Sequence, residues 1–384
     1  MERVCCMIFR YPLASEKKRA KAEQLTDSVY YLSEHIVDVR LQADCLEVEY
    51  AGDEEPAAFQ ERLNRYMRVG LLAKYAPKQI SHDNRVRQPA QSWAAAARSS
   101  LGGLQLEGDE VGLAQAFDRI FLEIALKSGA SQRKYPSLMT TKQMKMGGYL
   151  AHFPQHMYGV SEIAHDDAVL RSYREQSDEQ KESGAFLQPS GYFLQPCLCF
   201  HVYEELARTG VSRVESLSVY TAAGSCFRHE HRSRLSPTRL REFAMREIIY
   251  IGEPERVAEI REQLIGLTWS LFEALGLQGY IESATDPFFY EDDSVLMYQQ
   301  SAHALKYELR SAGNGQPDFS IASFNLCGHV LCEAFGVKSC GHDQSSLHSG
   351  CTGFGIDRWV QAFLYAHGRE SGRWPKIIQR YLQG

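Results

Sequence analysis

Arginine is the residue type that most clearly indicates chemistry in this chain of 384 residues. Six arginines lie between Phe227 and Glu247, at positions 228, 232, 234, 239, 241 and 246. Guanidinium groups at this density are costly to pack unless carboxylates or bound anions neutralise them. The segment therefore predicts a site for an anionic ligand. A solvated hairpin with arginine–glutamate pairs across its strands is the alternative interpretation.

A second segment near the C-terminus combines glycines with an arginine. Gly350, Gly353 and Gly355 lie in a strand-like run that leads into an apolar helix carrying Arg358. Glycine lets the backbone approach a ligand closely, and an arginine at this place can reach a phosphate. The segment matches neither the fingerprint G-x-G-x-x-G nor a P-loop, so both of those nucleotide sites are excluded.

These residues need strands and helices to position them. Apolar and polar residues alternate in 226–230 and 239–250, which predicts two antiparallel strands joined by a mobile loop. A helix is predicted over 111–128, ending at Gly129, with Pro136 before the next strand. Residues 264–281 have helical period and charged or polar interruptions, so they predict a buried helix and no membrane span.

The chain divides into three parts by pattern. Residues 1–78 predict a small α+β module with strands at 4–9, 37–41 and 45–50 and helices at 15–36 and 56–70. Residues 79–108 mix proline, serine, alanine and glycine, which predicts a linker that includes one helix at 92–99. Residues 109–384 form the third part, in which 171–184 are expected to be an exposed insertion.

Composition limits the classes of function. A 44% hydrophobic and 23% charged chain is neither fibrous nor disordered, and a net charge of −6 gives no global attraction for nucleic acid. Ten cysteines are too few for a disulfide scaffold and indicate reduced thiols or metal ligands. The apolar run at 4–9 is too short for a signal peptide. We therefore expect a cytoplasmic protein with no membrane partner.

Taken in order, residues 129–136, 226–250 and 350–364 resemble the three signature motifs of class II aminoacyl-tRNA synthetases, and the likeness extends over 109–384. Further stretches resemble the amino acid:[carrier protein] ligases related to seryl-tRNA synthetase, namely 149–159, 195–203, 243–252, 286–289, 306–308 and 348–351. Methanogenic-type seryl-tRNA synthetases are the nearest alternative. The N-terminal module keeps that alternative open, because the compact ligases lack it.

The resemblance implies an α/β fold in which an antiparallel sheet is flanked by helices, and a homodimer with the first motif at the subunit interface. It implies ATP-dependent activation of a small amino acid as an aminoacyl-adenylate, followed by transfer to the phosphopantetheine thiol of a carrier protein. An atypical seryl-tRNA synthetase and a catalytically silent paralogue that acts as a binding protein are the alternatives. A tRNA is the less favoured acceptor, because the sequence contains no long heptad run.

The resemblance also implies roles for individual residues. Arg228 would bridge the amino acid carboxylate and the α-phosphate of ATP, and Arg358 would hold the γ-phosphate. Glu230 would face the adenine amino group and Phe243 would stack on the ring. The candidates for the Mg²⁺ shell are Glu308, Ser323 and Asn325, with Ser320 standing where a second carboxylate is expected.

A catalytic Zn²⁺ is the last implication, with Cys199, Glu247 and Cys351 as ligands and a fourth position open to the substrate amine. Cys197 is the rival first ligand, because residues two apart on a strand face the same side. A separate cluster of Cys340, His342 and His348 is a further candidate metal site. The other cysteines are expected to be buried apolar side chains: Cys5, Cys6, Cys45, Cys226, Cys327 and Cys332.

Overall fold

The computed structural model describes residues 6–74, 76–86, 97–98, 102–209, 216–312, 317–338 and 347–382. Its N-terminal part is a three-stranded antiparallel sheet, ordered β1 (Met7–Pro12), β3 (Cys45–Tyr50), β2 (Ile36–Leu41). Helices α1 (Glu16–Val29) and α2 (Pro56–Leu72) supply Leu25, Phe59 and Leu63 to its own buried core. The predicted α+β elements are therefore present, although α1 ends seven residues before position 36.

An eight-stranded sheet forms the centre of the rest of the chain. Its order is β4 (Ile80–Asp83), β13 (Gly279–Ser283), β14 (Lys306–Ser311), β15 (Phe319–Gly328), β16 (His348–Gly355), β12 (Glu242–Gly252), β11 (Leu217–Phe227), β7 (Ser131–Arg133). All neighbours are antiparallel except β7 and β11, which are parallel. The predicted α/β fold with a helix-flanked antiparallel sheet is confirmed.

Helices cover both faces of this sheet, which is why β12 is buried from Arg246 to Gly252. On one face, α3 (Asp109–Lys127), α9 (Pro254–Ala274) and α12 (Ile356–His367) pack with Ile248 and Tyr250. On the other face, α8 (Cys199–Thr209) and α11 (Val330–Phe335) pack with Ile249 and Ile251. Side chains that alternate along β12 therefore point to opposite layers, and Glu247 faces the α8 layer.

A smaller sheet lies beside the central one. It consists of β8 (Leu138–Thr140), β10 (Leu187–Leu194) and β9 (Gly159–Ile163), in that order. Two short helices, α4 (Thr141–Met146) and α5 (Tyr149–His152), follow β8. The predicted insertion at 171–184 includes the end of α6 (Asp167–Glu175) and all of α7 (Asp178–Glu182), and no residue of either helix is buried. The remaining elements are β5 (Ala97–Arg98), β6 (Leu104–Gln105), α10 (Ser294–Ala302) and α13 (Lys376–Leu382).

Three predicted elements differ from the structure. The predicted linker contributes β4, which pairs with β13 at the edge of the central sheet. Ala97 and Arg98 pair with β6 as a strand rather than extending a helix, while 92–96 and 99 lie outside the described residues. The helix predicted to reach 281 ends at Ala274, and β13 begins at Gly279 because Gly276, with φ of 68°, reverses the chain.

Candidate active site

Strand register brings the predicted site residues onto one face of the sheet. Glu308 of β14 pairs with Ser323 of β15, which in turn pairs with Gly353 of β16, and Gly353 pairs with Glu247 of β12. In the next row, Lys306 pairs with Asn325 and Asn325 pairs with Cys351. Paired side chains on adjacent strands lie within contact distance, so residues up to 106 positions apart meet here.

Gly353 keeps the middle of this row open. A Cβ atom at this position would lie 3.3 Å from Ser323 Oγ and 4.0 Å from Glu247 Cγ. The glycine spacing of this segment therefore leaves room between the Ser323 and Glu247 side chains, where the sequence predicted close approach of a ligand.

One end of the site is formed by arginines. Arg228 follows β11, donates to the Pro196 carbonyl at 3.4 and 3.3 Å, and has its guanidinium carbon 5.3 Å from the Phe243 ring centre. Arg358 lies in the first turn of α12 and donates to the Ser320 carbonyl at 3.0 Å. Burial lowers the pKa of Arg358 to about 10, and the charges of Arg239 and Arg228 act in the same direction. Cations crowded in this way form a site for an anion.

Glu230 lies at the edge of this arginine cluster. Arg239 donates to Glu230 Oε2 at 2.9 Å, and Arg241 donates to the Glu230 carbonyl at 3.2 Å. Burial alone would raise the pKa of Glu230, but Arg239, assisted by His156 and Arg234, lowers it to about 2. The carboxylate is therefore ionised and fixed in place.

Lys306 and Asp286 complete the polar row, and the sequence assigned no role to either residue. Lys306 Nζ lies 2.7 Å from Asp286 Oδ1 and 3.2 Å from Glu308 Oε1. Burial opposes ionisation of Glu308, yet Lys306 and Arg310 lower its pKa. The alternation of Lys306 and Glu308 in a buried strand was the available signal, since charged residues inside a sheet need partners.

The other end of the site is rich in sulfur. Cys199 Sγ lies 3.6 Å from Cys197 Sγ, and the thiols of Cys199 and Cys327 both hydrogen-bond to Cys351. Asn325 Nδ2 donates to the Cys351 carbonyl at 3.3 Å and lies 3.4 Å from Cys351 Sγ. Hydrogen bonds from Cys199, Cys327 and Asn325 hold the pKa of Cys351 well below that of a free thiol, against the effect of burial.

Glu247 is the carboxylate next to these thiols. Burial, together with Cys351, raises its pKa to about 8, while the backbone N–H groups of Leu198 and Cys199 oppose this shift. Its Oε2 atom is buried and has no hydrogen-bond partner. A buried carboxylate oxygen without a hydrogen-bond partner, together with two neighbouring thiols, is a donor set that fits a Zn²⁺ ion. No group of three or more His, Cys, Asp or Glu side chains has the arrangement of a formed metal site in the part of the chain that the structure describes.

Several predictions about cysteines need correction. Cys199 begins helix α8 and is not on a strand, so strand alternation does not relate it to Cys197. Cys327 is half-buried and contacts Cys351, and Cys6 and Cys45 are also not buried, whereas Cys226 and Cys332 are. His348 begins β16, with its ring 6.0 Å from that of His329, while Cys340 and His342 lie outside the described residues.

Comparisons with known proteins show which chains are similar to this one. Residues 188–367 match the family profile described as the tRNA synthetase class II core domain (G, H, P, S and T). An amino acid–[acyl-carrier-protein] ligase 1 of Bradyrhizobium diazoefficiens is 28% identical over 258 residues, covering 67% of this chain and 77% of the relative. A type-2 serine–tRNA ligase of Methanothermobacter thermautotrophicus is 27% identical over 282 residues, covering 71% of this chain and 54% of the relative.

A solved structure has the same fold over most of the chain. It is an M. kandleri seryl-tRNA synthetase in complex with an A. aeolicus tRNASec, with a TM-score of 0.69 and 20% identity. The alignment covers 91% of this chain and 73% of that one. The match covers 54% of the Methanothermobacter thermautotrophicus serine–tRNA ligase and 54% of one from Methanococcus maripaludis, so the chain spans about half the length of these two relatives. Residues 188–367 are thus similar to the class II tRNA synthetase core domain, and the chain is similar to both carrier-protein ligases and seryl-tRNA ligases.

Proposed function

We propose that the protein activates a small amino acid with ATP and transfers it to the phosphopantetheine thiol of a carrier protein. The supporting observation is the arrangement of charge on one face of the sheet. Arg239 and Arg358 lie at one end, and Cys199, Glu247 and Cys351 lie at the other. Arg228 lies near both ends, because its charge acts on both Arg358 and Glu247. A triphosphate and an amino acid amine would be held at opposite ends, with the reacting carboxylate between them.

In the first step, a carboxylate oxygen of the amino acid attacks the α-phosphorus of ATP. A carbon–oxygen–phosphorus mixed anhydride forms, the bond to the β-phosphate breaks, and pyrophosphate leaves with the electron pair. Both reactants are anions, so fixed positive charge provides most of the acceleration. Arg228 would neutralise the carboxylate and α-phosphate, and Arg358 the γ-phosphate, while Glu230 and Phe243 orient the adenine.

Metal ions complete this proposal. Cys199, Glu247 and Cys351 would hold a Zn²⁺, and Glu308, with Ser323 and Asn325 beside it, would lie in the Mg²⁺ shell. A zinc ion with three protein ligands supplies an open position for the neutral substrate amine. That requirement would select molecules with a free amine.

In the second step, the acceptor thiol attacks the acyl carbon, AMP leaves, and the thiol proton passes to solvent or to AMP. A carrier protein is favoured because the first 87 residues hold 14 Lys and Arg against 14 Asp and Glu, without the basic bias of a tRNA-binding arm. A seryl-tRNA ligase is the second candidate. The relation to type-2 serine–tRNA ligases, and the fold shared with one over 91% of this chain, favour it.

Pyrophosphate exchange into ATP tests the first step. With a panel of amino acids, we expect exchange with a small one such as glycine, alanine or serine. A complete lack of exchange would remove both ligase proposals and favour the silent paralogue. The activated amino acid is then offered to holo carrier protein and to bulk tRNA in parallel. Labelling of the carrier supports the proposal, and labelling of tRNA alone would overturn it.

A further inference from the structure

The N-terminal module packs against the loop that joins β11 to β12, although the sequence predicted a module joined only by a linker. His231 Nε2 lies 3.1 Å from the Ser33 carbonyl oxygen, and Ser233 Oγ donates to the Ile36 carbonyl at 2.7 Å. The ring of Tyr30 lies 5.3 Å from that of His231. This loop, residues 229–241, carries Glu230 and Arg239 and therefore belongs to the proposed nucleotide end of the site.

Asp27 of α1 makes the most direct link to that end. Its carboxylate accepts from Arg239 at 3.1 Å and forms an ion pair with Arg234, while its backbone carbonyl accepts from Arg234 Nη1 at 2.9 Å. Arg239 donates with its other terminal nitrogen to Glu230 at 2.9 Å. Asp27, Arg239 and Glu230 therefore form a continuous chain of charges from the module to the residue proposed to face adenine.

A second contact reinforces this junction. The Tyr31 hydroxyl oxygen lies 3.4 Å from His156 Nε2, and the Tyr31 ring packs edge-on against the rings of His156 and Phe289. The His156 carbonyl in turn accepts from the His229 backbone at 3.0 Å. The module therefore supports residues 229–239, the segment that includes Glu230, near both of its ends.

The distribution of exposure suggests a role beyond packing. The Asp27 side chain is 66% exposed, whereas the Arg234 side chain that it holds is only 7% exposed. Within 228–241, the regular elements are a short turn of 3₁₀ helix at Arg232–Arg234 and a bridge between Ser236 and Arg239, so the side chains of Asp27 and Arg239 add to a loop with little regular structure. Because Asp27 is exposed, it adds little to the packing of the core. Its main effect is to orient the Arg234 and Arg239 side chains.

We propose that Asp27 is a positioning residue for the nucleotide, and that the N-terminal module is part of the ATP site rather than an independent arm for the acceptor. By fixing Arg239, Asp27 keeps the Glu230 carboxylate oriented in the nucleotide-free protein. Fewer side chains then need to become ordered when ATP binds. This inference rests on the proposed function, because it assumes that the loop binds ATP.

Calorimetric titration of the full chain with Mg²⁺ and ATP tests the proposal. Replacing Asp27 by Ala, and separately by Asn, is expected to raise the Kd for ATP about threefold to fivefold, the upper part of the range of one partly exposed ion pair. Asp27→Glu should restore binding to within about twofold. Glu23→Ala, one turn earlier on the same exposed face of α1, is the matched control and should leave Kd unchanged.

Two further readouts separate positioning from a general loss of structure. In pyrophosphate exchange, D27A should raise KM for ATP while kcat and KM for the amino acid stay unchanged. In nucleotide-free protein, amide hydrogen exchange over 229–241 should be faster in D27A than in E23A. An unchanged Kd, a lower Kd, or an equal rise in both KM values would overturn the inference and leave the proposed function standing. If the wild-type protein binds no ATP, the proposed function fails and this inference fails with it.

Discussion

Cys351 is the thiol whose environment most favours the thiolate. It receives hydrogen bonds from two other thiols and from Asn325, which lower its pKa despite burial, whereas burial raises the pKa of Cys226 well above the usual value. It also lies on β16, between β15, which carries Asn325, and β12, which carries Glu247. If any cysteine of this cluster binds a metal, Cys351 should be the one that is hardest to replace.

We expect Cys351→Ser to lose stoichiometric zinc and to reduce pyrophosphate exchange by at least about a hundredfold, because even a group that merely supports a metal ligand contributes up to that much. Elemental analysis and exchange kinetics measure the two effects, and the thermal midpoint should stay within a few degrees, about the shift of 1 kcal/mol. Cys332→Ser is the control, because Cys332 is only 2% exposed and lies outside the proposed ligand set. Full zinc content in the Cys351 variant would contradict the ligand assignment.

Local patterns predicted the strands that flank the arginine-rich loop but not the contacts between distant elements, and they placed 228–230 and 239–241 in strands although β11 ends at Phe227 and β12 begins at Glu242. Alternation of apolar residues indicated β11 and β12, and the glycine-rich run indicated β16 followed by α12. The contact of Cys327 with Cys351 and the ion pair of Asp27 with Arg239 join residues 24 and 212 positions apart. No periodicity encodes such pairs, because strand register and module packing create them only when the whole chain folds.

The helix start at Cys199 was missed for a related reason. Residues 199–203 are mostly apolar, and a short apolar run does not show whether the segment is a buried strand or a buried helix. The structure places the N-terminus of α8 against Glu247, with the Leu198 and Cys199 N–H groups facing the carboxylate. Tertiary packing therefore decided the element type at the site where the local pattern was ambiguous.

Asp357 connects α12, which carries Arg358, to β12, which carries Phe243 and Glu247. It lies in the first turn of α12, beside Arg358, and accepts from the Ala244 backbone of β12 at 2.8 Å. Burial, together with Glu242, raises its pKa from 3.8 to about 6. The folded protein therefore retains this proton over a pH range in which the unfolded chain has lost it.

The sign of the pH effect follows from that difference. Because the folded state binds more protons between pH 4 and pH 6, the unfolding free energy falls as the pH rises through this range. Asp357→Asn has no such proton, so wild type should lose about 2–3 kcal/mol relative to this variant between pH 4 and pH 7. Urea unfolding of both proteins across this range measures it. A difference between the two proteins that does not change with pH would contradict the assigned burial effect.

The charge of the whole molecule bears on the choice of acceptor. With 42 Lys and Arg against 48 Asp and Glu, the chain has a net charge of −6, so any attraction for a polyanion must be local. A nucleic acid partner that contacts six to ten phosphates loses about 10³ to 10⁵ in affinity between 50 and 200 mM salt, because bound counterions are released. A protein partner that docks through a few charges has no comparable counterion layer to displace.

Salt dependence therefore distinguishes the two acceptors by a property of the whole interface. If a carrier protein is the natural acceptor, its KM in the transfer step should rise less than about tenfold between 50 and 200 mM potassium chloride, because only a few screened charges guide docking. Steady-state transfer with saturating ATP and amino acid measures this, and pyrophosphate exchange at each salt concentration controls for effects on activation. A carrier KM that rises by more than about tenfold would contradict this expectation, and transfer to tRNA with a KM that rises by about 10³ or more would favour the seryl-tRNA ligase.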